Sequence, residues 1–310
     1  MLETSIIIPV RNQKDTLLAT LNSLKSQIKK PRVFEIVICD DDSTDGTGDA
    51  VKKLRFPIFF KYFINTPALG RAANRDQGVA RSVGKRMIFI DGDMIPDENF
   101  IAGMIDDGDM DSVKLGRVLP PPDEKLNGLE KYLYSRGRYT YKDDGAVLPG
   151  RLFTSNNFCI SRNNYAKIGG FDPKFTGWGG EDIDFGLRLE KSGIQLKNAP
   201  KAITYHHHKR TLKSMRSDFY DFGRLTFAYL IEKHPEFLDQ IPANLIGMKD
   251  SKGNINPLSG LLSKLIINSA AYGIISRMIM AMGKNRWPDI IYDYLLWGSL
   301  AIGYKKRDVK

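Results

Sequence analysis

Residues 34–47 read FEIVICDDDSTDGT, an apolar run that ends abruptly in acidic and small polar residues. A short apolar run of this kind is typical of a strand that is buried on both faces of a parallel sheet. The four carboxylates that follow within six residues repel one another unless they meet hydrogen-bond donors or cations. Because ligands bind beyond the carboxyl ends of the strands in open α/β sheets, this segment indicates both a fold and a site.

The same pattern recurs on either side of this segment. Ser5–Val10 (SIIIPV) predicts a first buried strand, and Met87–Ile90 (MIFI) predicts another that ends in Asp91-Gly92-Asp93. The segments between them predict, in order, helix Asp15–Gln27 with Asp15 as its N-cap, helix Thr47–Leu54, strand Ile58–Ile64 and helix Ala72–Val83. Strands that alternate with helices indicate parallel α/β structure.

The size and charge of the chain narrow the classes of function. Of its 310 residues, 42% are hydrophobic and 10% aromatic, which excludes a mainly disordered chain. The length indicates one large domain with an appendage, or two domains. Lysine and arginine number 46 against 36 acidic residues, a formal net charge of +10. This excess favours an anionic partner: a nucleic acid, a nucleotide or an acidic membrane surface.

Cysteine usage and the N-terminus predict the compartment. Cys39 and Cys159 lie in apolar runs, so we expect two buried thiols in a reducing compartment and neither a disulfide nor a zinc site. The N-terminal MLETSIIIPV has an early Glu3 and soon returns to polar sequence, which predicts neither a secretory signal nor a membrane span. We therefore expect a cytoplasmic protein.

The C-terminal sixty residues differ in character. Residues 251–310 contain nine basic and three acidic residues, a net of +6, and Leu258–Met282 predicts a helix rich in Leu, Ile and Met. Two compatible interpretations stay open. One is a helical appendage that packs on the main domain, and the other is a basic amphipathic surface that lies peripherally on the anionic inner face of the cell membrane.

Asp91-Gly92-Asp93 is a candidate metal and phosphate site. Its two carboxylates follow a buried strand directly, and Gly92 would let a ligand approach the backbone closely. Hard oxygen ligands beside a diphosphate suit Mg²⁺ or Mn²⁺. An ordinary acidic turn is the alternative.

The carboxylates after the strand at residues 34–39 divide into two groups. Helix capping accounts for Ser43–Asp45, which precede a predicted helix. Capping does not account for Asp40 and Asp41. Their carboxylates could accept hydrogen bonds from a base N–H or from ribose hydroxyls, as acidic residues do in dinucleotide sites.

Gly177–Asp184 (GWGGEDID) combines glycines, a tryptophan and carboxylates. The glycines let the backbone pass close to a ligand, and a sugar ring could stack on the flat face of Trp178. Glu181 and Asp182 would open a helix whose dipole stabilises their ionised forms, which makes them candidates for a general base. An acidic first turn without a catalytic role is the alternative.

Three of the four histidines of the chain form the run His206-His207-His208, directly after the apolar Ala202–Tyr205. On a strand His206 and His208 would share one face while His207 points away. An imidazole on that face could ligate a metal ion. A solvated polar loop is the alternative.

Taken in order, these segments resemble the family 2 glycosyltransferases with a GT-A fold. The matching stretches, which span Thr4 to His208, are SIIIPVRN, EIVICDDDSTDGT, GRAANRDQG, IFIDGDMIPD, GGFD, GWGGEDIDFGLRL and YHHH. GWGGEDID is also similar to the acceptor-side motif of galactosyl-, N-acetylgalactosaminyl- and chondroitin-type transferases. The resemblance implies an α/β GT-A fold, a Rossmann-like mixed sheet flanked by helices, as the catalytic domain over residues 1–210. Residues 211–310 would be a mainly helical region that contacts a membrane surface or a partner.

The resemblance also implies a site for a nucleotide sugar. Pro9 and Arg11 would lie in the first nucleotide-binding loop, Asp41 would recognise uracil, and Arg75 would lie near the nucleotide. The implied nucleotide-sugar residues are, in full, Pro9, Arg11, Asp40, Asp41, Arg75, Asp91, Gly92, Trp178 and Gly180.

For metal binding and catalysis, the resemblance implies Asp93 and His206 as ligands of Mn²⁺ or Mg²⁺, with His208 in reserve. Asp182 would be the catalytic base, and its neighbour Glu181 would bind the acceptor or donor sugar. The reaction would be the inverting transfer of a hexose or N-acetylhexosamine from a UDP-sugar to a hydroxyl of a glycan or lipid-linked glycan.

Two positions depart from the family pattern. The family usually has glycine or asparagine where Asp42 stands, and asparagine where Asp76 stands. These departures concern the details of nucleotide contact and leave the expected fold unchanged.

Three other functions are compatible with parts of the sequence. A nucleotidyltransferase would normally have a glycine- and lysine-rich phosphate loop near the N-terminus, and IIIPVRNQKD is not one. An inactive carbohydrate- or nucleotide-binding scaffold would have no need to retain Asp91, Asp93, Asp182 and His206 together. A nucleic-acid binder would explain the basic charge but not acidic residues at successive strand ends, so we expect no nucleic acid as partner.

Overall fold

The computed structural model describes residues 3–28, 34–55, 58–105, 107–207, 210–283 and 286–307. The chain divides into two compact units. The first comprises Met1–Glu124, Arg136–Lys174 and Glu181–His208, and the second comprises Lys125–Ser135, Phe175–Gly180 and Lys209–Lys310. The second unit thus takes two short segments from the middle of the chain.

The first unit is built on one mixed sheet. Its strands among the described residues are β1 (Thr4–Val10), β2 (Phe34–Asp40), β3 (Phe59–Ile64), β4 (Arg86–Ile90), β5 (Met94–Pro96), β6 (Val113–Leu119), β7 (Val147–Leu148), β8 (Asn157–Ser161) and β9 (Leu196–His206). The strand order is β3-β2-β1-β4-β8-β6-β9-β5, and β7 pairs with β9. β1 to β4 run parallel and β8 runs antiparallel to β4, which confirms the predicted mixed α/β fold.

The helices follow the strands in the predicted alternation over the first hundred residues. In chain order the described α-helices are α1 (Lys14–Gln27), α2 (Thr47–Lys52), α3 (Arg71–Arg81), α4 (Phe100–Ile105), α5 (Gly128–Tyr134), α6 (Arg162–Ile168), α7 (Glu181–Lys191), α8 (Leu212–Leu225), α9 (Phe227–Lys233), α10 (Pro257–Ile266), α11 (Ser269–Ala281) and α12 (Asp289–Lys305). α5 and α8 to α12 belong to the second unit, which confirms a mainly helical C-terminal region.

β1 and β2 are buried as their apolar runs predict, whereas β3 at the edge of the sheet is only partly buried. Every residue of β1 and β2 is buried, and α3 packs directly on them. A Cβ atom on Gly78 would lie 2.4 Å from Cγ2 of Ile7, so only glycine allows α3 to approach β1 this closely. Cys39 and Cys159 are buried free thiols, as predicted.

Aromatic packing fixes α7 against the sheet. The ring of Phe185 on α7 stacks on Phe171 and Phe153 with centroid distances of 4.5 and 4.6 Å, and Phe158 of β8 stacks on Phe89 of β4 at 4.4 Å. Aromatic pairs of this kind add about 0.5–1.5 kcal/mol each beyond the area that they bury. The N-terminus of α7 is therefore held in a defined position relative to β4.

The prediction that Asp15 caps α1 is wrong. The helix begins at Lys14, and the side chain of Asp15 is exposed in its first turn. The hydrogen-bond acceptor comes instead from the loop after β2, where Asp45 Oδ2 accepts from Lys14 N at 3.0 Å. Asp45 Oδ1 also accepts from Thr47 N at 3.0 Å, so this one carboxylate serves the first turns of two helices.

In the second unit the predicted helix over Leu258–Met282 is two helices. α10 and α11 meet at an angle of 73° because Asn268 begins a new helix, its side chain accepting from Ala271 N at 2.9 Å. In the described part of the chain no single helix is long and apolar enough to cross a bilayer, and α10 and α11 reach that length only as this bent pair.

Candidate active site

The first carboxylate after β2, Asp40, is buried and shapes the loop in which it lies. Its Oδ2 accepts a hydrogen bond of 2.6 Å from the Tyr62 hydroxyl on β3, and its Oδ1 accepts one of 2.9 Å from Ser43 N. Both oxygens therefore bind groups of the protein itself. This arrangement compensates for the burial of the carboxylate and explains its place at the strand end.

Asp41, the predicted uracil ligand, joins the loop after β2 to the start of α3. Its two carboxylate oxygens accept from Leu69 N at 2.7 Å and from Gly70 N at 3.0 Å. Each oxygen keeps a second acceptor position, because a carboxylate oxygen carries two lone pairs. Asp41 can thus accept a further hydrogen bond without losing the contacts that hold it.

The loop after β1 lies beside the loop after β2. Asn12 N donates to Ser43 Oγ at 2.8 Å, and Asn12 Oδ1 accepts from Thr44 N at 2.7 Å. Pro9 is buried at the end of β1, whereas Arg11 is exposed on the loop. Of these two predicted nucleotide residues, only Arg11 presents its side chain to solvent.

Arg75, on α3, is buried and carries the central positive charge of the site. Its Nη2 donates to Asp91 Oδ1 at 2.8 Å, and its guanidinium carbon lies 5.6 Å from the centre of the Phe171 ring. Burial alone would lower the pKa of Arg75, but the negative charges of Asp91, Asp182 and Glu181 outweigh it and raise that pKa. Arg75 therefore stays ionised and compensates for carboxylates from two separate segments.

Asp91 and Gly92 occupy the turn between β4 and β5. Burial raises the pKa of Asp91, Arg75 opposes this effect, and Asp93 adds to it. A Cβ atom on Gly92 would lie 2.9 Å from Gln13 Oε1 and 3.3 Å from Val10 Cγ2. The turn therefore packs closely against Gln13 and Val10, and a side chain at residue 92 would require the end of the Gln13 side chain to move.

Asp93 and His206 come together where β5 pairs with β9. Asp93 Oδ2 lies 3.5 Å from His206 Nε2, and both side chains are partly exposed, at 19% and 16%. Among the described residues no three His, Cys, Asp or Glu side chains are close enough to hold a metal ion by themselves. A carboxylate and an imidazole nevertheless fit a Mn²⁺ or Mg²⁺ ion that takes its other ligands from substrate and water. His208, the reserve ligand, lies outside the described residues.

A cavity of about 340 Å³ adjoins this pair. It is lined by residues 12–16 at the start of α1 together with Asp45, Asp93 and His207. The α1 residues were not predicted from the sequence to belong to a site. Nothing in their pattern distinguishes them from an ordinary first turn, so only the fold could reveal that they line this cavity.

Glu181 and Asp182 open α7 as predicted, and both have an unsatisfied acceptor. Asp182 Oδ2 accepts from Ser155 N at 3.2 Å, whereas Asp182 Oδ1 and Glu181 Oε2 are buried without a hydrogen-bond partner among the described residues. Burial raises the pKa of Glu181 to about 7, with Asp182 adding to the shift and Arg75 opposing it. Buried acceptors left open in this way are characteristic of sites that bind a donor group from a ligand.

Asp76, the departure from the family pattern, has a positioning role. Its Oδ1 accepts from Phe171 N at 3.2 Å and from the Tyr165 hydroxyl. Because Phe171 lies against the Arg75 guanidinium, Asp76 fixes the aromatic support of that side chain. The unusual residue was visible in the sequence, but its partners were not.

The predicted sugar-binding residues Trp178 and Gly180 belong to the second unit. The ring of Trp178 lies 5.7 Å from that of Phe219 and 5.8 Å from the Arg210 guanidinium. Gly180 has a φ of +100°, and a Cβ atom there would lie 2.8 Å from the Phe175 ring. The glycine is therefore needed for the local backbone conformation and packing.

We expect replacement of Glu181 by glutamine to stabilise the protein in a pH-dependent way. The pKa of Glu181 is about 7 in the folded protein against an ordinary 4.5, so its ionisation lowers the free energy of unfolding as the pH rises through this range. Glutamine cannot ionise. Glu181→Gln should raise the free energy of unfolding by about 3 kcal/mol at pH 8 and by less than about 1 kcal/mol at pH 5.

Urea denaturation at both pH values measures this difference. Glu232→Gln, at an exposed position, serves as the control and should change the stability little at either pH. Equal effects of Glu181→Gln at pH 5 and pH 8 would contradict the raised pKa.

Two family models match the chain. The model of glycosyl transferase family 2 matches residues 5–165, just over half of the chain. A second model, described as the N-terminal domain of galactosyltransferase, matches residues 143–211. Both matches contain residues that the geometry brings together around Arg75.

Similar proteins include sugar transferases of bacteria. A validoxylamine A glucosyltransferase of Streptomyces hygroscopicus subsp. limoneus is 25% identical over 266 residues, covering 76% of this chain and 58% of that protein. The chondroitin synthase of Pasteurella multocida strain Pm70 is 26% identical over 236 residues, covering 65% of this chain and 24% of that protein. The chain spans less than two thirds of the length of either relative.

Solved structures share the fold at low sequence identity. The mannosyltransferase PcManGT from Pyrobaculum calidifontis, in complex with GDP-Man and Mn²⁺, has a TM-score of 0.63 at 14% identity, covering 98% of this chain and 86% of that one. S. aureus TarS 1-349 in complex with UDP-GlcNAc has a TM-score of 0.58 at 16% identity, covering 98% and 90%. These likenesses confirm the GT-A fold. With the family model matched over more than half of its length, the chain belongs to glycosyl transferase family 2.

Proposed function

We propose that the protein is an inverting, metal-dependent glycosyltransferase that moves a hexose or N-acetylhexosamine from a UDP-sugar to an acceptor hydroxyl. The observation that carries the proposal is the cluster around Arg75. One buried guanidinium binds Asp91 of the Asp-x-Asp turn, and the charges of Glu181 and Asp182 at the start of α7 act on it. Donor-side and acceptor-side carboxylates are thereby coupled in one site.

Asp41 and Arg11 support a nucleotide donor. Asp41 is held at the strand end by two backbone amides and can accept one more hydrogen bond, as recognition of a base N–H requires. Arg11 offers an exposed guanidinium on the neighbouring loop, where it can bind a phosphate or ribose oxygen. TarS has been solved with UDP and with UDP-GlcNAc, and PcManGT with GDP-Man, so related folds accept more than one base.

Asp93 and His206 would hold the divalent ion. Bound there, a Mn²⁺ or Mg²⁺ ion would stabilise negative charge on the diphosphate leaving group. PcManGT and GalNAc-T7 have both been solved with Mn²⁺, which supports the same choice of metal here.

Asp182 has the properties that a general base requires. Its Oδ2 is oriented by the backbone amide of Ser155, and its buried Oδ1 is open to accept the proton of an acceptor hydroxyl. The deprotonated oxygen would attack the anomeric carbon from the face opposite the diphosphate, and this single displacement inverts the configuration. Glu181, whose pKa is near 7, would bind a sugar hydroxyl beside the base.

Calorimetric titration with UDP tests this proposal, first with Mn²⁺ and then with EDTA, and with CDP, GDP and ADP for comparison. We expect binding that is selective for UDP and much weaker in EDTA. Asp93→Ala should weaken UDP binding in Mn²⁺ at least about tenfold and remove the difference between Mn²⁺ and EDTA.

The matched control is Asp123→Ala, which removes an exposed carboxylate from a loop and should bind UDP as the unmodified protein does. Metal-independent binding, or an Asp93→Ala variant that binds normally, would count against the metal site. If no nucleotide binds under any condition, the protein is an inactive scaffold on the same fold.

A further inference from the structure

The exposed apolar side chains of this protein are concentrated on one part of the second unit. In the described part of the chain, ten of the sixteen exposed large hydrophobic residues lie between residues 258 and 290. They are Leu258, Leu261, Leu262, Leu265, Ile266, Ile274, Met278, Met280, Met282 and Ile290. Single exposed hydrophobic residues are normal on a protein surface, whereas a concentration of them marks an interaction surface.

α10 and α11 are amphipathic in the reverse of the usual sense. Their buried positions lack aliphatic side chains: they are Gly260 and Ser263 on α10, and Ser276 and the tyrosine Tyr272 on α11. Most of their exposed positions are apolar: Leu265 is 59% and Met278 is 64% exposed. Since a surface helix normally turns its apolar stripe inward, this orientation indicates that the outer face meets something other than water.

Hydrogen bonds on the inner side hold the helices in this orientation. The Tyr272 hydroxyl of α11 donates to Leu295 O of α12 at 2.6 Å, and Arg216 Nη2 donates to Ser276 Oγ at 3.1 Å. At the join, Lys305 Nζ donates to Ile267 O at 2.9 Å. Rotating α11 to bury its exposed isoleucine and methionine side chains would break the bonds of Tyr272 and Ser276 and leave these polar groups unpaired.

The charge of the segment identifies the kind of partner. Residues 257–288 contain four basic residues and no acidic residue. Two of the basic residues, Lys264 and Arg277, are exposed on α10 and α11 among the apolar side chains. A second copy of the chain would bring the same positive charges against this face, which disfavours self-association. A partner that is both anionic and apolar complements the positive charge and the exposed hydrophobic side chains of this face.

We propose that the exposed face of α10 and α11 binds the surface of a bilayer that contains anionic lipids. The leucine and methionine side chains enter the boundary between headgroups and acyl chains. Lys264 and Arg277 remain at the level of the headgroups, where their positive charges attract anionic lipids. The attachment is peripheral and does not depend on the proposed transferase activity.

Vesicle co-sedimentation with the full chain tests this proposal. We expect binding to vesicles of phosphatidylcholine and phosphatidylglycerol in equal parts, weaker binding at high salt, and little binding to phosphatidylcholine alone. Leu261→Ser with Leu265→Ser should weaken binding at least about tenfold. Lys264→Glu with Arg277→Glu should weaken it at least about 30-fold, because the loss of two attractive charges alone gives this factor and the new negative charges add repulsion.

Each double variant has a matched control. Val83→Ser with Val147→Ser replaces two hydrophobic residues that are 58% and 55% exposed in the first unit. Lys52→Glu with Lys53→Glu changes the net charge of the protein by as much as Lys264→Glu with Arg277→Glu does. Lys52 is the last residue of α2 and Lys53 follows it. Both controls should bind vesicles as the unmodified protein does. Because all the replaced side chains are at least partly exposed, thermal unfolding should show that every variant folds.

Several results would overturn the proposal. Binding that neither double variant reduces, or that the controls reduce equally, would place the lipid contact elsewhere. Equal affinity for neutral vesicles would exclude the anionic partner. A dimer in sedimentation velocity that the leucine double variant dissociates would make this face an interface between copies of the chain.

Discussion

Asp182→Asn should reduce the rate of sugar transfer by about 10³-fold while leaving the affinity for UDP nearly unchanged. Asparagine keeps an oxygen that can accept the 3.2 Å hydrogen bond from Ser155 N, so the geometry at the start of α7 is retained. The amide cannot accept the proton of the acceptor hydroxyl. The loss should therefore appear in kcat and not in donor binding.

Transfer assays and UDP titrations on the same variants measure this effect. Glu181→Gln is the informative comparison, because Glu181 is the adjacent carboxylate and the one with a pKa near 7. We expect it to lose less activity than Asp182→Asn. Asp123→Asn, at an exposed loop position, should have normal activity. If Glu181→Gln is inactive and Asp182→Asn retains transfer, Glu181 is the base instead.

Arg75→Met should lower the free energy of unfolding by about 3–5 kcal/mol at pH 8. Methionine can occupy much of the volume and keep the contact with Phe171, but it removes the buried positive charge. Asp91 would lose its 2.8 Å ion pair, and Glu181 and Asp182 would lose the charge that opposes their burial. An unpaired buried charge is far more costly than the loss of an exposed one.

The effect should be smaller at pH 5 than at pH 8. Burial raises the pKa values of Asp91 and Glu181, so more of their negative charge is neutralised by protons at the lower pH. Urea denaturation at the two pH values tests this prediction. Arg81→Met is the matched control on the same helix: Arg81 is half-buried against the Phe63 ring, 4.8 Å from its centre. If Arg75→Met costs no more than Arg81→Met, Arg75 does not compensate for the carboxylates.

Features that depend on neighbours along the chain could be predicted from the sequence. The apolar runs of β1 and β2 have one stable place in such a fold, between two layers of helices, and both are fully buried. The burial of these strands also predicts that Asp40, Asp41 and Asp91 lie close together, because parallel strands end at the same edge of the sheet. The ordered motifs then predicted the family and the fold correctly.

Features that depend on residues far apart in the chain were decided by the tertiary structure. Asp45 caps α1 from another loop in place of Asp15, because the fold brings its carboxylate to Lys14 N. The pKa of Glu181 is raised because burial and the charge of Asp182 outweigh the opposing charge of Arg75, and no local sequence pattern contains this balance.

The same physical reason applies to the C-terminal helices. The composition of residues 257–288 established that the segment is apolar and basic. Which face of α11 meets water was decided by the hydrogen bonds of Tyr272 and Ser276 with α12 and Arg216. Sequence patterns determine what a segment can bury, whereas burial, charge compensation and exposure depend on the partners that the completed fold supplies.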